Sequence, residues 1–216
     1  AIAMSDNIYA LKTLLLIGSN RLKELLKLFD INNVEALPSI ALGTISTSLL
    51  KLTSIYNTFA SLGIYYKPSL IRKVNDINNN IIYIDNQSSK NILGETNTLI
   101  LNQMLTSTFD SSLSSYLTTT MSNYKPYNIY AAKSGTTKND SYVVAFNPNY
   151  TIGIWVGSDS NSNFYDYSIS KQLFKEISNI LQDKKQLSWY NTNYNTKALR
   201  YDPNTHSFNN NGKIYY

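Results

Sequence analysis

A chain of 216 residues with 43% hydrophobic content suits one globular domain, or one with a small appendage, and excludes wholesale disorder. Its formal net charge of +5 comes from scattered residues, mostly Lys, which argues against a nucleic-acid partner and leaves at most a weak attraction to anionic envelope surfaces. The absence of Cys removes disulfides, thiolate zinc sites and Cys nucleophiles, and a single His, His206, leaves neither a His-cluster metal site nor a Ser-His-Asp triad, so no metal or cofactor is expected.

The longest apolar stretch, Leu14–Ile17, is far too short to span a bilayer, and Ala1–Ser5 has neither a basic flank nor a signal-type apolar segment. Ile8, Leu11 and Leu15 recur at helical spacing and predict a first helix stopped by Gly18. A second helix after Ser19 carries Leu22, Leu25, Leu26 and Phe29 on one stripe. Asn32-Asn33 and Pro38 mark a loop. A third helix is expected from a Ser46 cap through Leu49, Leu52, Tyr56 and Phe59, with Gly63 just past its end.

From Tyr65 the pattern changes. Leu70–Val74 and Ile81–Ile84 flank Asn78-Asn79-Asn80 and read as a β-hairpin. Leu93–Leu105 reads as helix with Leu101, Met104 and Leu105 buried, and a further helix is predicted between Ser111 and Met121. Three strands follow: Ile129–Lys133, Ser141–Phe146 and Tyr150–Val156, the last two joined by the hairpin-sized Asn147-Pro148-Asn149 and so antiparallel. A polar loop is expected over Gly157–Asn163. A last helix, Tyr167–Leu181, is expected to bury Ile169, Leu173, Ile177 and Ile180. Beyond Lys184 the chain is rich in Asn, Tyr, Lys and Thr, with turn signals at Asp202-Pro203-Asn204 and Asn209–Gly212, and reads as an edge hairpin or a poorly ordered tail.

Two short motifs carry chemistry. Ser5-Asp6-Asn7 heads the first helix, and Lys133-Ser134-Gly135-Thr136-Thr137 ends a predicted strand. Alone, the first is most often a helix cap and the second most often a turn. Together they match two of three signatures, S-x-x-K with S-D-N and K-T-G, of the penicillin-interacting serine enzymes, with Ser134 departing from the commoner Thr but keeping the hydroxyl. The likeness extends along the chain. Ser5–Ala10, Leu37–Thr44, Tyr56–Gly63 with Tyr66-Lys67-Pro68, Ile71–Val74 and Gly153–Asp159 all resemble stretches of class A penicillin-binding proteins. The similarity covers residues 1–183, the C-terminal portion of a transpeptidase domain, and leaves 184–216 as an Asn/Tyr-rich tail or edge hairpin.

The resemblance implies an α/β (α+β) fold: an antiparallel sheet flanked by helices, serine β-lactamase/D,D-transpeptidase-like, and expected to be incomplete because the N-terminal strands and the S-x-x-K helix are absent from this sequence. It implies a D,D-transpeptidase that cross-links peptidoglycan stem peptides ending in D-Ala-D-Ala through a serine acyl-enzyme trapped by β-lactams, at the extracytoplasmic face of the cell membrane. The implied catalytic residues are Ser5, Asn7, Lys133 and Thr136; Ser134, Gly135, Thr136 and Thr137 would bind substrate. Asn7 offers an amide donor and a carbonyl acceptor. Ser5 can relay a proton to the leaving amine. Lys133 is a point charge expected near Ser5 and the substrate carboxylate. Ser134 and Thr136 share a strand face, so both hydroxyls can reach that carboxylate. Gly135 leaves room for the substrate backbone, and the Thr136 N–H is the expected second oxyanion donor. Substrate would lie along this strand as an added edge strand. Asp6 receives no role.

The family's nucleophile motif precedes S-x-N by tens of residues, and only four residues precede Ser5. Three S-x-x-K strings, Ser48–Lys51, Ser122–Lys125 and Ser168–Lys171, occur in the wrong order and are read as chance, the last at a surface position. The expectation is therefore a fragment, split chain or truncated gene that supplies half a site, needs a complementary N-terminal piece carrying S-x-x-K, does not react with penicillin alone, and meets the membrane only through segments outside this sequence. The competing readings are a non-catalytic binding or scaffold module that keeps the strand-edge cleft, and a β-lactam-sensing or β-lactam-hydrolysing relative.

Overall fold

The structure is a computed structural model and describes residues 1–158, 166–181, 188–191, 196–197, 199–202, 205, 207–210 and 213–215. Its centre is an antiparallel meander of β5 (Ala131–Thr136), β6 (Asp140–Phe146) and β7 (Thr151–Gly157), in the order β5-β6-β7. The register runs from Ala131 opposite Phe146 to Thr136 opposite Ser141, and from Asp140 opposite Gly157 to Phe146 opposite Thr151. The turn between β6 and β7 is closed by the Asn147 carboxamide, whose Oδ1 accepts from the N–H groups of Asn149 and Tyr150, both at 2.9 Å.

Strand alternation gives the sheet two apolar faces, each under a helical layer. Ala132, Val143, Ala145, Ile152 and Ile154 pack on Phe174 of α5 (Ile169–Leu181), together with Phe109, Met121 and Tyr130. Ala131 and Phe146 face the other way, onto Tyr56, Phe59 and Ala60 of α3 (Leu49–Ala60) and Leu101 and Leu105 of α4 (Glu95–Thr106). Gly153 lets α3 approach β7: a Cβ there would lie 1.9 Å from Thr53 Oγ1. Trp189 closes the same layer, donating to Gln103 Oε1 at 3.0 Å.

Outside this sandwich, α1 (Asn7–Ile17) and α2 (Ser19–Leu28) form a lobe with a small core of Leu14, Val34 and Ile40. β1 (Ile64–Tyr66) pairs with β4 (Ser89–Asn91), and β2 (Lys73–Asn75) with β3 (Ile81–Ile84). Among the described residues, β8 (Leu199–Asp202), β9 (Ser207–Phe208) and β10 (Lys213–Tyr215) form a separate sheet in the order β10-β8-β9. His206, the turn residues Pro203-Asn204 and Asn211-Gly212, and the polar loop beyond Ser158 to Asn163 lie outside the described residues.

Several local expectations need correction. No α-helix fills Ser111–Met121; the chain makes short 3-10 turns at Ser107–Phe109, Ser111–Leu113 and Ser122–Tyr124. The cause is side-chain competition for the backbone: Asp110 Oδ1 accepts from Ser112 N–H and Oγ, and Ser114 Oγ accepts from Thr119 N–H. On α5 the buried stripe is Ser170, Phe174 and Ser178, while Leu173, Ile177 and Ile180 are exposed. Small serines let the helix sit close on the sheet, so they win the inner face over larger apolar residues. On α1 the inward residue is Leu14, with Ile8 and Leu15 exposed, and Met104 of α4 is also exposed. The cap of α3 is Ser48, not Ser46, its Oγ accepting from Lys51 N–H at 3.2 Å. At the far end of α3 the left-handed residue is Leu62 (φ 51°), and Gly63 (φ 101°) follows it with its N–H on the Thr58 carbonyl. Gly63 is required for a second reason, because a Cβ there would collide with the Leu93 carbonyl.

Candidate active site

A cleft of about 1300 Å³ opens between α1, the N-terminal turn and the free edge of β5; Ser5, Asn7, Lys133, Ser134, Gly135, Thr136 and Thr137 all line it. Two structural devices bring the motifs together. Ser5 closes the 3-10 turn Ile2–Met4 in the left-handed conformation (φ 54°, ψ 48°), with its N–H on the Ile2 carbonyl at 3.1 Å. That conformation is unusual for a residue with a Cβ and is held by its surroundings: Thr120 N–H donates to the Ala3 carbonyl at 3.0 Å. Asp6 then caps α1, its Oδ1 accepting from Tyr9 N–H at 3.0 Å, and its Oδ2 takes the Tyr116 hydroxyl. Asp6, given no role from sequence, thus fixes the helix that presents Asn7. The signal was available: an Asp just ahead of a helical stripe is a preferred cap.

Across the cleft, Lys133 Nζ donates to Ser5 Oγ at 2.6 Å and to the Ser134 carbonyl at 2.7 Å. Burial, and then the like charge of Lys171, bring the Lys133 ammonium down from 10.5 to about 8. This amine therefore shares a short hydrogen bond with the hydroxyl of Ser5 and gives up its proton near pH 8. Asn7 is exposed at the first position of α1, with no side-chain partner among the described residues. Ser134 is buried, while Gly135 and Thr136 are exposed on the strand edge. Thr137 also lines the cleft, but its hydroxyl donates to Asp140 Oδ2 at 2.6 Å and holds the β5–β6 turn.

The S-x-x-K strings fare differently. Ser48 caps α3, Ser122 donates to the Thr119 carbonyl, and Ser168 donates to Asp166 Oδ1; none lines the cleft. Lys171, expected on the surface, is instead half-buried and reaches the cleft. Among the described residues no group of three or more His, Asp or Glu could hold a metal ion, and no helix is long and apolar enough to cross a membrane.

This architecture is the penicillin-interacting serine enzyme fold. It superposes on penicillin-binding protein 1A of Haemophilus influenzae with a TM-score of 0.83, at 17% identity, covering 100% of this chain and 39% of that one. Penicillin-binding protein 3 of Mycobacterium tuberculosis, solved with aztreonam, gives a TM-score of 0.72 at 16% identity, covering 88% of this chain and 52% of that one. The chain belongs to the penicillin binding protein transpeptidase domain family, whose model matches residues 1–179. Penicillin-binding protein 2D of Bacillus subtilis is 37% identical over 166 residues, 75% of this chain and 24% of that protein. Penicillin-binding protein 1A of Aquifex aeolicus is 29% identical over 180 residues, 82% of this chain and 23% of that protein. The chain thus spans about a quarter of the length of these relatives.

Proposed function

We propose that this chain supplies the proton-relay and substrate-gripping half of a D,D-transpeptidase site. Its ligands are stem peptides ending in D-Ala-D-Ala and the β-lactams that imitate them, and it works at the extracytoplasmic face of the membrane. The observation that carries the reading is the hydrogen bond from Lys133 Nζ to Ser5 Oγ, made at the free edge of β5 and beside Asn7 in one cleft.

The nucleophile is a serine on a segment bearing S-x-x-K, a complement to this chain; the three internal S-x-x-K serines are engaged elsewhere and outside the cleft. That serine forms a C–O bond with the penultimate D-Ala carbonyl carbon as its own proton leaves to a base. Asn7 holds the substrate amide, and the Thr136 N–H faces the developing oxyanion. As the C–N bond breaks, Ser5 gives its hydroxyl proton to the departing D-Ala amine, and the Lys133 ammonium replaces it. An ammonium that loses its proton near pH 8 is matched to that relay, whereas an ordinary lysine would hold it too tightly. Residues 1–183 form the transpeptidase portion and 184–216 an Asn/Tyr-rich tail or edge hairpin, whose Trp189 packs on the α3–α4 layer.

The test is covalent labelling by a fluorescent penicillin of this chain joined to the S-x-x-K segment. Labelling is expected, with the acylation rate of Lys133→Ala lowered about a hundredfold. Labelling of the 216-residue chain alone, or unchanged labelling of Lys133→Ala, would overturn the proposal.

A further inference from the structure

The two faces of β5 do different work. Ala131, Lys133 and Gly135 alternate onto one face, and Ala132, Ser134 and Thr136 onto the other. Ala131 packs in the α3–α4 layer, whereas Ala132 packs with Phe174 of α5. Lys133 therefore leaves the strand on the side away from the Ser134 and Thr136 side chains. Its ammonium already gives hydrogen bonds to Ser5 Oγ and the Ser134 carbonyl. The hydroxyl face of the strand needs a different cation if it is to hold a carboxylate.

The first turn of α5 supplies one. Ser170 is fully buried, with its Oγ 2.6 Å from Ser141 Oγ, and Ser141 is the cross-strand partner of Thr136. This contact pins the start of α5 beside the Ser134–Thr136 end of β5. Lys171, the next residue, lines the same cleft as Ser134, Gly135 and Thr136. Its Nζ lies 5.8 Å from the centre of the Tyr124 ring, which steadies the side chain without neutralising it. The ion pairs among the described residues are Lys27–Glu24 and Lys51–Asp30, so Lys171 has no carboxylate partner there. Both ammonium groups are held below their ordinary pKa, Lys133 by burial and then by the like charge of Lys171, and Lys171 by burial.

We infer that Lys171 is a specificity-determining residue: with the hydroxyls of Ser134 and Thr136 it holds the free carboxylate of the acyl donor, leaving Lys133 to the Ser5 relay. The inference rests on the transpeptidase reading above and assigns the charge recognition to a lysine outside both motifs. The ligand class is an acyl-D-amino acid, or a bicyclic lactam, with an ionised carboxylate next to the reacting amide.

The experiment compares acylation rates of the joined protein by a penicillin and by its carboxyl methyl ester. The wild type is expected to favour the free acid strongly. Lys171→Met keeps the aliphatic stem over Tyr124 and should lower the rate with the acid about tenfold while leaving the ester within about twofold; Lys171→Arg should restore most of the preference. An equal loss for both ligands, or no loss for the acid, would overturn the role of Lys171 while leaving the transpeptidase reading intact. A wild type that acylates but treats acid and ester alike would likewise overturn the role of Lys171, whereas one that does not acylate removes the transpeptidase reading beneath it.

Discussion

The β6–β7 and β2–β3 hairpins are both antiparallel and both legible in the sequence, yet they occupy opposite extremes of burial. In β6, Ser141, Val143, Ala145 and Phe146 are fully enclosed, because α5 covers one face and α3 with α4 the other. In β2–β3 every residue is exposed, and Ile77 at the turn is 99% accessible. Beyond its own backbone ladder, the second hairpin is held by turn chemistry: Asp76 Oδ1 accepts from the N–H groups of Asn78 and Asn80, each at 2.8 Å, and Oδ2 from Asn80 Nδ2 at 2.9 Å. A β-prone sequence makes a strand locally, but a second layer makes it stable. An isolated two-stranded ribbon is marginal in water.

The largest effects should therefore fall on the central hairpin and its cover. Phe174 is fully buried, in edge-to-face contact with Tyr130 and tilted contact with Phe109. Phe174→Ala should cost about 3–5 kcal/mol in denaturant-melt free energy. A loss below about 1 kcal/mol would mean that α5 is not the lid of this sheet. Gly153→Ala comes next, at about 1–3 kcal/mol, because its methyl enters the space of Thr53 Oγ1. Adding Thr53→Ala, which deletes that hydroxyl, should recover much of the loss; no recovery would locate the strain elsewhere.

The same contrast explains what the sequence could reveal. Turns and strands depend on local chemistry, so Asn147-Pro148-Asn149 and the Asp76–Asn80 turn were readable, as were helices α1 to α5. Which side of a helix is inward depends on its neighbours. Ser170 and Ser178 lie inward because they let α5 approach the sheet, and no hydrophobic count reveals that. The motif residues could be placed on their elements, but the proximity of Lys133 to Ser5 joins positions 128 residues apart. Lys171 was missed because its approach to the cleft is set by the Ser170–Ser141 contact rather than by any pattern along the chain. Ser111–Met121 failed as a helix because its serines and Asp110 bond the backbone themselves.

Titration sharpens the comparison. Lys133 on β5 is held near 8, below the ordinary 10.5. Between those values the unfolded chain keeps a proton that the folded chain has shed, so stability rises with pH across that window; the penalty of the buried charge is fully present below about 8. Lys133→Met should abolish this slope, seen by subtracting its melt free energies from those of the wild type at each pH. A parallel pair of curves would show that the charge is solvated in the native protein.

The smallest effects belong to the outer hairpin. Replacing the exposed Ile82 with Ser should change global stability by no more than about 0.5 kcal/mol. Asp76 gives a finer probe. Its carboxyl is held below the ordinary carboxylate value first by the side-chain hydrogen bond from Asn80 and then by that residue's N–H. A lowered folded-state pKa means that the contribution is present above the ordinary value and lost as pH falls through the lowered one. On acidification the amide resonances of Asn78 and Asn80 should therefore shift with a midpoint below the ordinary carboxylate range, while those of Val143 and Ala145 stay fixed. The turn can open without the sheet because β2–β3 buries nothing against it. If the β6 amides moved at the same midpoint, the two hairpins would form one cooperative unit, and layer cover would not be what separates them.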